Sequence, residues 1–506
     1  MSAVENPGPG PSNLGALLPH LSRGARLALA ALAGVLNGVG FVFWGPLALL
    51  ANLPLLLALH GAPTRRQAAL LGLTTGFLGG CHIYGIVDYG WLLMAGFALY
   101  TGSQMVIFAL VLRALWGRLS PWVDVALPAL IWALTEHLRT LGPLAMPASY
   151  VGCIADSEVL RPWLWLAPYT GGLGVSTLVA LVPSVLFHGG LSARHRRAAL
   201  GFAVLLLAAW GLGRSLPPTL GDRPLQVAGV QGGLANTQYR AAFADARAMR
   251  DIVDTYAALS RRAYDQGAEL VVWPETAVRA PVLHTPALRA RLFPGVGDRS
   301  HLVAGLLHRE GTQAWNLAVA VGPGVEGGVE LGRYAKVRTV PRTEAYLTRG
   351  AAWSPLVTPV GRLGPIICLE SVYPEAARAM VAAGAELLLV QSNDAGFGRS
   401  PITDHMTARA VVRAVENGRW LLRVGQAGIT TLIDPRGARH GQLGLFEPGL
   451  LVGEARLRDD LTPFTRYGDW WAALCLGLTL LIAGLTRGRH RRRAPGAPSA
   501  GAAGPG

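Results

Sequence analysis

Two hydrophobic patterns alternate along this chain. Apolar runs of bilayer-spanning length, roughly 17 to 25 residues, occur near 25–43, 44–61, 67–86, 92–114, 121–138, 169–188 and 197–214, and an eighth runs from Trp470 to Leu485. The first two nearly touch around Phe43-Trp44-Gly45-Pro46, which predicts a tight hairpin or a re-entrant pair. Between the seventh and eighth runs the pattern shortens. Leu225 to Val230, Glu269 to Trp273, Leu302 to Leu307, Asn316 to Val321, Pro365 to Cys368, Glu386 to Gln391 and Trp420 to Val424 read as strands. Amphipathic stretches at Tyr239 to Asp265, Pro374 to Ala383 and Thr403 to Asn417 read as helices. A mixed sheet with covering helices is the simplest architecture for this stretch.

Charge orders the apolar runs. Arg23 and Arg26 precede the first, Arg65 and Arg66 separate the second and third, Arg113 and Arg118 the fourth and fifth, and Arg194, Arg196 and Arg197 the sixth and seventh. Every second connection is therefore basic, as the positive-inside rule requires of cytoplasmic loops. Arg487, Arg489 and Arg491 to Arg493 fall on the same side after the last run. The expected division is a disordered cytoplasmic N-terminus over 1–24, a bundle of about seven helices over 25–214, an extracytoplasmic α/β domain over 215–465, a closing helix over 468–486 and a basic cytoplasmic tail over 487–506. The first run lacks a small-residue cleavage site and is read as an uncleaved anchor.

Composition agrees with a membrane protein: 506 residues are 51% hydrophobic, with mean hydropathy +0.36. The formal charge of +15 is read as topology, because no basic stripe interleaved with aromatics points to nucleic acid. The four cysteines have neither metal-ligand spacing nor a disulfide framework. Cys81 and Cys475 lie in apolar runs and read as small hydrophobes, and Cys153 lies in a loop, compatible with a free thiol or a disulfide partner. No histidine spacing suggests a metal site; His405 is expected on a helix face. No cofactor is indicated.

Three residues carry chemistry. Glu275 follows the run Leu270-Val271-Val272-Trp273-Pro274, which would present a carboxylate at a sheet rim, where it could act as a general base. Lys336, in Tyr334-Ala335-Lys336, is the only lysine in a chain whose other basic residues are arginines. An ammonium is evidently needed there, to stabilise an anionic intermediate or lower a thiol pKa. Cys368 ends the apolar run Gly364-Pro365-Ile366-Ile367 and is a candidate nucleophile. The amide of Leu369 could complete an oxyanion site. Glu370 could orient the turn or the lysine, and Glu344 could be a second carboxylate; both are equally compatible with surface charge.

The order Glu275, Lys336, Cys368 resembles the nitrilase superfamily. Almost the whole chain, from the first apolar run to the last, is similar to the apolipoprotein N-acyltransferase family, through Val230-Gln231-Gly232, Trp273-Pro274-Glu275, Ser392-Asn393-Asp394, Phe397-Gly398, Glu416-Asn417-Gly418-Arg419 and Gly428-Ile429-Thr430. The resemblance implies a multi-span helical membrane bundle with an α-β-β-α sandwich. It also implies a Glu275 base, a Lys336 that stabilises the intermediate, a Cys368 that accepts an acyl chain from a phospholipid, and assistance from Glu344 and Glu370. The acceptor would be the α-amine of a diacylated prolipoprotein, and the location the bacterial cytoplasmic (inner) membrane with the catalytic domain on the periplasmic side. The chain departs from the family at Arg342-Thr343, Leu369, Gly396 and Tyr239, where aromatic residues or Phe-Gly are usual. Two other readings stay open: a membrane-anchored amidase that uses the same three residues, and a membrane scaffold whose domain has lost activity and only binds lipoprotein.

Overall fold

The computed structural model describes residues 18–42, 44–62, 64–82, 90–141, 157–216, 219–279, 282–292, 300–324 and 328–493. Cys153 and most of the N-terminal tail lie outside them. Helices occupy Arg23–Val42, Leu53–Leu59, Arg65–Gly80, Trp91–Leu115, Pro121–Leu138, Ala167–Gly189, Ala193–Ser215 and Trp470–Arg493. Among the described residues, Trp91–Leu115, Arg161–Gly189, Ala193–Ser215 and Trp470–Arg489 are long and apolar enough to cross a membrane. The expected second span is instead a run of short helical pieces, Gly45–Leu47, Ala48–Ala51 and Leu53–Leu59. Pro46 and Pro54 each open a piece at its first or second position, where the missing N–H costs no hydrogen bond.

Small residues let these helices approach. Gly72, Gly76 and Gly80 recur every fourth position, and a Cβ at any of them would collide with Met105, Thr101 or Ala98 of the Trp91–Leu115 helix. Thr101 Oγ1 donates to Gly76 O across the contact at 2.8 Å. Lipid tails give no hydrophobic reason for two apolar helices to associate, so close packing of small residues supplies the attraction.

Among the described residues, twelve strands build the polar region: β1 (Arg223–Gln231), β2 (Leu270–Val272), β3 (His301–Glu310), β4 (Gln313–Gly322), β5 (Val329–Ala335), β6 (Leu356–Thr358), β7 (Gly361–Ile367), β8 (Leu387–Ser392), β9 (Leu421–Gly425), β10 (Thr430–Ile433), β11 (Arg439–Leu443) and β12 (Gly449–Leu457). They form two six-stranded sheets, ordered β12-β1-β2-β3-β4-β5 and β11-β10-β9-β8-β7-β6. β1, β2 and β3 run parallel, as do β7, β8 and β9. β1 and β12, the first and last strands, pair antiparallel over their full length, from Arg223 opposite Leu457 to Gln231 opposite Gly449.

Period-two alternation sorts the side chains. Ala228 and Val230 of β1, with Val271 of β2 and Trp273 just beyond it, pack outward against Tyr256, Val253 and Ile252 of the Ala246–Asp265 helix. Val227, Leu270 and Val272 point inward and share a core with Leu387, Leu389 and Leu422 of the facing sheet. The Pro374–Ala382 and Ile402–Asn417 helices cover that sheet's outer face through Ala377, Met380, Ala410 and Ala414. The result is an α-β-β-α sandwich. The long amphipathic stretch before β2 is two helices, Asn236–Ala244 and Ala246–Asp265, because Asp245 leaves helical geometry and accepts from Arg247 N at 2.7 Å as an N-cap.

Sandwich and bundle meet through Ile402–Asn417. The Ala167–Gly189 helix breaks at Gly171 (φ 68°), where a Cβ would press on the Phe464 ring. The break frees the N–H of Gly172, which donates to Glu416 Oε2 at 3.3 Å. Trp470 Nε1 donates to Tyr169 O at 2.7 Å and Trp471 Nε1 to Thr177 Oγ1 at 3.0 Å, tying the closing helix to the same element.

Candidate active site

The parallel strands of both sheets end at one rim, the edge of an open α/β sheet where functional groups collect. Glu275 lies three residues beyond β2, and Lys336 follows β5 directly. Cys368 follows β7 and begins a 3-10 turn, Cys368–Val372. Asn393 and Asp394 follow β8. Thr276 (φ 47°) and Cys368 (φ 50°) both have left-handed backbone, a conformation that costs on the order of 1–3 kcal/mol per residue and persists where surrounding structure imposes it.

Lys336 Nζ lies 2.8 Å from Glu275 Oε1 and 2.8 Å from Glu344 Oε1. Lys336 is only 1% exposed, so two carboxylates neutralise one buried ammonium. Burial acts against the lysine charge, but the Glu275 and Glu344 carboxylates hold the ammonium above the usual lysine range. Asn316 Nδ2 donates to Glu275 Oε1 at 2.7 Å and Asn393 N to Oε2 at 2.9 Å, so the carboxylate is fixed from both sides. Val340 N holds Glu344 Oε2 at 2.6 Å, within a loop whose Arg342 is left-handed (φ 65°).

Burial pushes the Cys368 thiol well up, and Glu275 adds to the rise; Lys336 opposes it, and Asp394 and Glu344 push the same way as Glu275. The resting group is therefore a thiol whose proton must leave as it attacks. Asp394 is held by Ser392 Oγ at 2.6 Å and by the buried guanidinium of Arg423.

Glu370 does not reach the lysine by any hydrogen bond to it. It accepts from Tyr334 Oη, from the N–H groups of Val337 and Arg338 at 2.7 and 3.0 Å, and from Ile367 N at 2.8 Å. These bonds tie together the turns that carry Lys336 and Cys368, and Glu370 is fully buried rather than a surface charge. Leu369 is half-buried and packs against Val372, Tyr373, Ile402 and Met406. His405 sits on the Ile402–Asn417 helix, its ring 5.3 Å from that of His82.

Glu275, Lys336, Glu344 and Cys368 are thus brought together, with Glu370 behind them. Asn316 and Arg423 were not singled out by sequence. Asn316 sits inside an apolar run, and a polar residue facing the rim within such a run is the signal that could have marked it.

Residues 33–185 match the apolipoprotein N-acyltransferase N-terminal domain, and residues 296–459 match carbon-nitrogen hydrolase. An apolipoprotein N-acyltransferase of Azotobacter vinelandii is 35% identical over 94% of this chain and 97% of its own length. One from Pseudomonas aeruginosa is 32% identical over 92% and 96%, and one from Geobacter metallireducens 31% over 90% and 94%. Among solved structures, an amidase from Nesterenkonia sp. aligns with 49% of this chain and 95% of its own at 26% identity, with a TM-score of 0.38. With its apolar helices, this is an integral membrane enzyme, and the chain belongs to the apolipoprotein N-acyltransferase family.

Proposed function

We propose that this enzyme takes an acyl chain from a membrane phospholipid, holds it as a thioester on Cys368 and passes it to the α-amine of a diacylglyceryl-cysteine at a lipoprotein N-terminus. The observation that carries the reading is a lone lysine clamped between Glu275 and Glu344, 2.8 Å from each, at the rim where a buried thiol leaves its strand.

In the first half-reaction Glu275 takes the Sγ proton while Sγ attacks the phospholipid ester carbonyl. Lys336 and the Leu369 amide stabilise the oxyanion. The acyl C–O bond breaks, and Glu275 returns the proton to the departing lysophospholipid oxygen. In the second, the neutral amine attacks the thioester, Glu275 takes its proton, the C–S bond breaks and the proton returns to sulfur. Glu344 and Glu370 act by position: Glu344 shares the lysine, and Glu370 fixes the two turns.

A membrane bundle beside the rim suits such substrates, because moving an acyl chain through water costs about 0.8 kcal/mol per CH₂. The basic connections between helices support a placement in the bacterial inner membrane with residues 215–465 facing the periplasm.

Intact-mass measurement on purified protein with phospholipid tests the reading. An acyl adduct on Cys368 that moves to the N-terminal amine of a diacylated lipopeptide is the expected result. An adduct released only to water, or none, overturns it.

A further inference from the structure

A cavity of about 380 Å³ opens at the end of the bundle that carries the basic connections, among residues 59–61, 113–124 and 188–195. This volume lies within the range of small-ligand sites. It is remote from the catalytic rim: Gly172, which touches the sandwich through Glu416, and His188, which lines the cavity, lie on one helix, roughly 24 Å apart at 1.5 Å per residue.

Several polar groups here are committed to structure. Trp116 Nε1 donates to His188 Nε2 at 3.0 Å, and His188 Nδ1 to Ser184 O at 2.8 Å, which fixes a neutral imidazole. Asp124 accepts from Gly117 N at 2.7 Å and lies 3.2 Å from His195 Nε2. Ser192 Oγ meets His195 Nδ1 at 2.8 Å and also accepts His195 N as a helix cap. That Ser-His-Asp line is therefore a capping arrangement.

One guanidinium of the lining is not committed. Arg194 lines the cavity with no hydrogen-bond or ion-pair partner among the described residues. Among the described residues the His60 ring makes edge contacts with Trp116 and Phe187, at 5.5 Å each. Arg113 adds a second guanidinium to the lining, anchored on Ala62 O. Buried Arg26 donates to Ala58 O and His60 O at 2.7 Å each, bringing a third close behind the loop. Arg26 is spent on these carbonyls and on those of Leu18 and Leu21, so the cavity itself is lined by two guanidiniums, Arg194 and Arg113, against the one carboxylate of Asp124, a cationic balance that suits an anion. Leu59, Trp116 and Leu191 give the cavity apolar walls, and its position at the end of apolar helices puts it at headgroup level, where basic pockets between helices take anionic lipids.

We propose that this cavity binds the phosphate of an anionic phospholipid headgroup from the leaflet remote from the catalytic domain, as a lipid site separate from the acyl-transfer centre. The shared chemistry is a phosphate ester near Arg194 and Arg113, and the membrane is its source.

The test uses full-length protein in neutral detergent and ether-linked phosphatidylglycerol, which has no acyl ester to donate, with ether-linked phosphatidylcholine and free glycerol phosphate as comparisons. Bound lipid is counted by native mass spectrometry for wild type, Arg194→Gln and Arg65→Gln; Arg65 is exposed at the same end but outside the cavity lining. Expected are preference for the anionic lipid and about tenfold weaker binding in Arg194→Gln alone. Equal loss in both variants would mean diffuse surface charge, and no loss in Arg194→Gln would mean no site; either overturns the proposal. Glycerol phosphate competing at lipid-like concentrations would assign the cavity to a soluble ester and overturn the lipid source.

Discussion

Tyr334 donates its phenol to both carboxylate oxygens of Glu370, at 2.8 and 2.9 Å. Tyr334 lies on β5 of one sheet and Glu370 in the turn that follows β7 of the other, so their contact locks the end of β5, which Lys336 follows, to the end of β7, which Cys368 follows. Glu370→Ala leaves the phenol and three backbone N–H groups without their acceptor. At about 1–3 kcal/mol for each buried group left unpaired, it should lower Tm by several degrees and slow thioester formation at least tenfold. Tyr334→Phe removes one donor and should cost only about 1 kcal/mol. Thermal unfolding beside the rate of adduct formation checks the ranking; equal effects of the two substitutions would contradict it.

Lys336 separates two carboxylates that would otherwise face each other in a buried site. Lys336→Met should therefore destabilise the fold by about 3–5 kcal/mol, the cost of leaving buried charge unpaired. Adding Glu344→Gln to Lys336→Met should recover part of that stability without recovering transfer. A double-mutant cycle on denaturation midpoints reads the coupling; additive losses would mean that the two side chains do not interact.

Glu275 has opposite effects on two reactions of Cys368. Its charge helps to push the thiol pKa up, while its basicity serves acyl transfer. Glu275→Gln should thus slow adduct formation by about 10²- to 10⁴-fold yet speed alkylation by iodoacetamide at fixed pH, because more thiolate is present. Wild-type alkylation should keep rising through pH 9 without a plateau. A plateau below pH 8 would mean that the thiol is not raised.

Glu416 makes the docking of sandwich on bundle sensitive to pH. Burial raises its carboxyl from the ordinary 4.5 to about 7, although Arg413 and the Gly172 N–H act against the rise. A folded state that holds the proton more tightly than the unfolded chain loses stability as pH rises from about 4.5 through about 7. Relative to Glu416→Gln, which cannot ionise, wild-type Tm should fall between pH 5 and pH 8. Parallel Tm curves for the two proteins would refute the shift.

The central strands were legible because they are buried on both faces and read as apolar runs, as Leu387–Ser392 and Leu421–Gly425 do. β5, β11 and β12 were not: Val329–Ala335 and Arg439–Leu443 are largely half-exposed strands carrying charges and glycines, with no apolar run to mark them. β6 is three residues long and β10 begins with two buried threonines. At the site, Glu275, Lys336 and Cys368 were readable from residue type and strand ends. The partners of Glu275 were not, since Asn316 reaches it only through the antiparallel pairing of β3, β4 and β5. Which side chain Glu370 holds likewise depends on how the two sheets are stacked.

Because β1 and β12 lie side by side from Arg223 and Leu457 onward, the chain leaves the bundle and returns to it at neighbouring points. The sandwich is topologically a cassette inserted between two membrane helices. An ancestral bundle could have acquired it, or exchanged it for a relative with other chemistry, in one recombination event without rethreading any span.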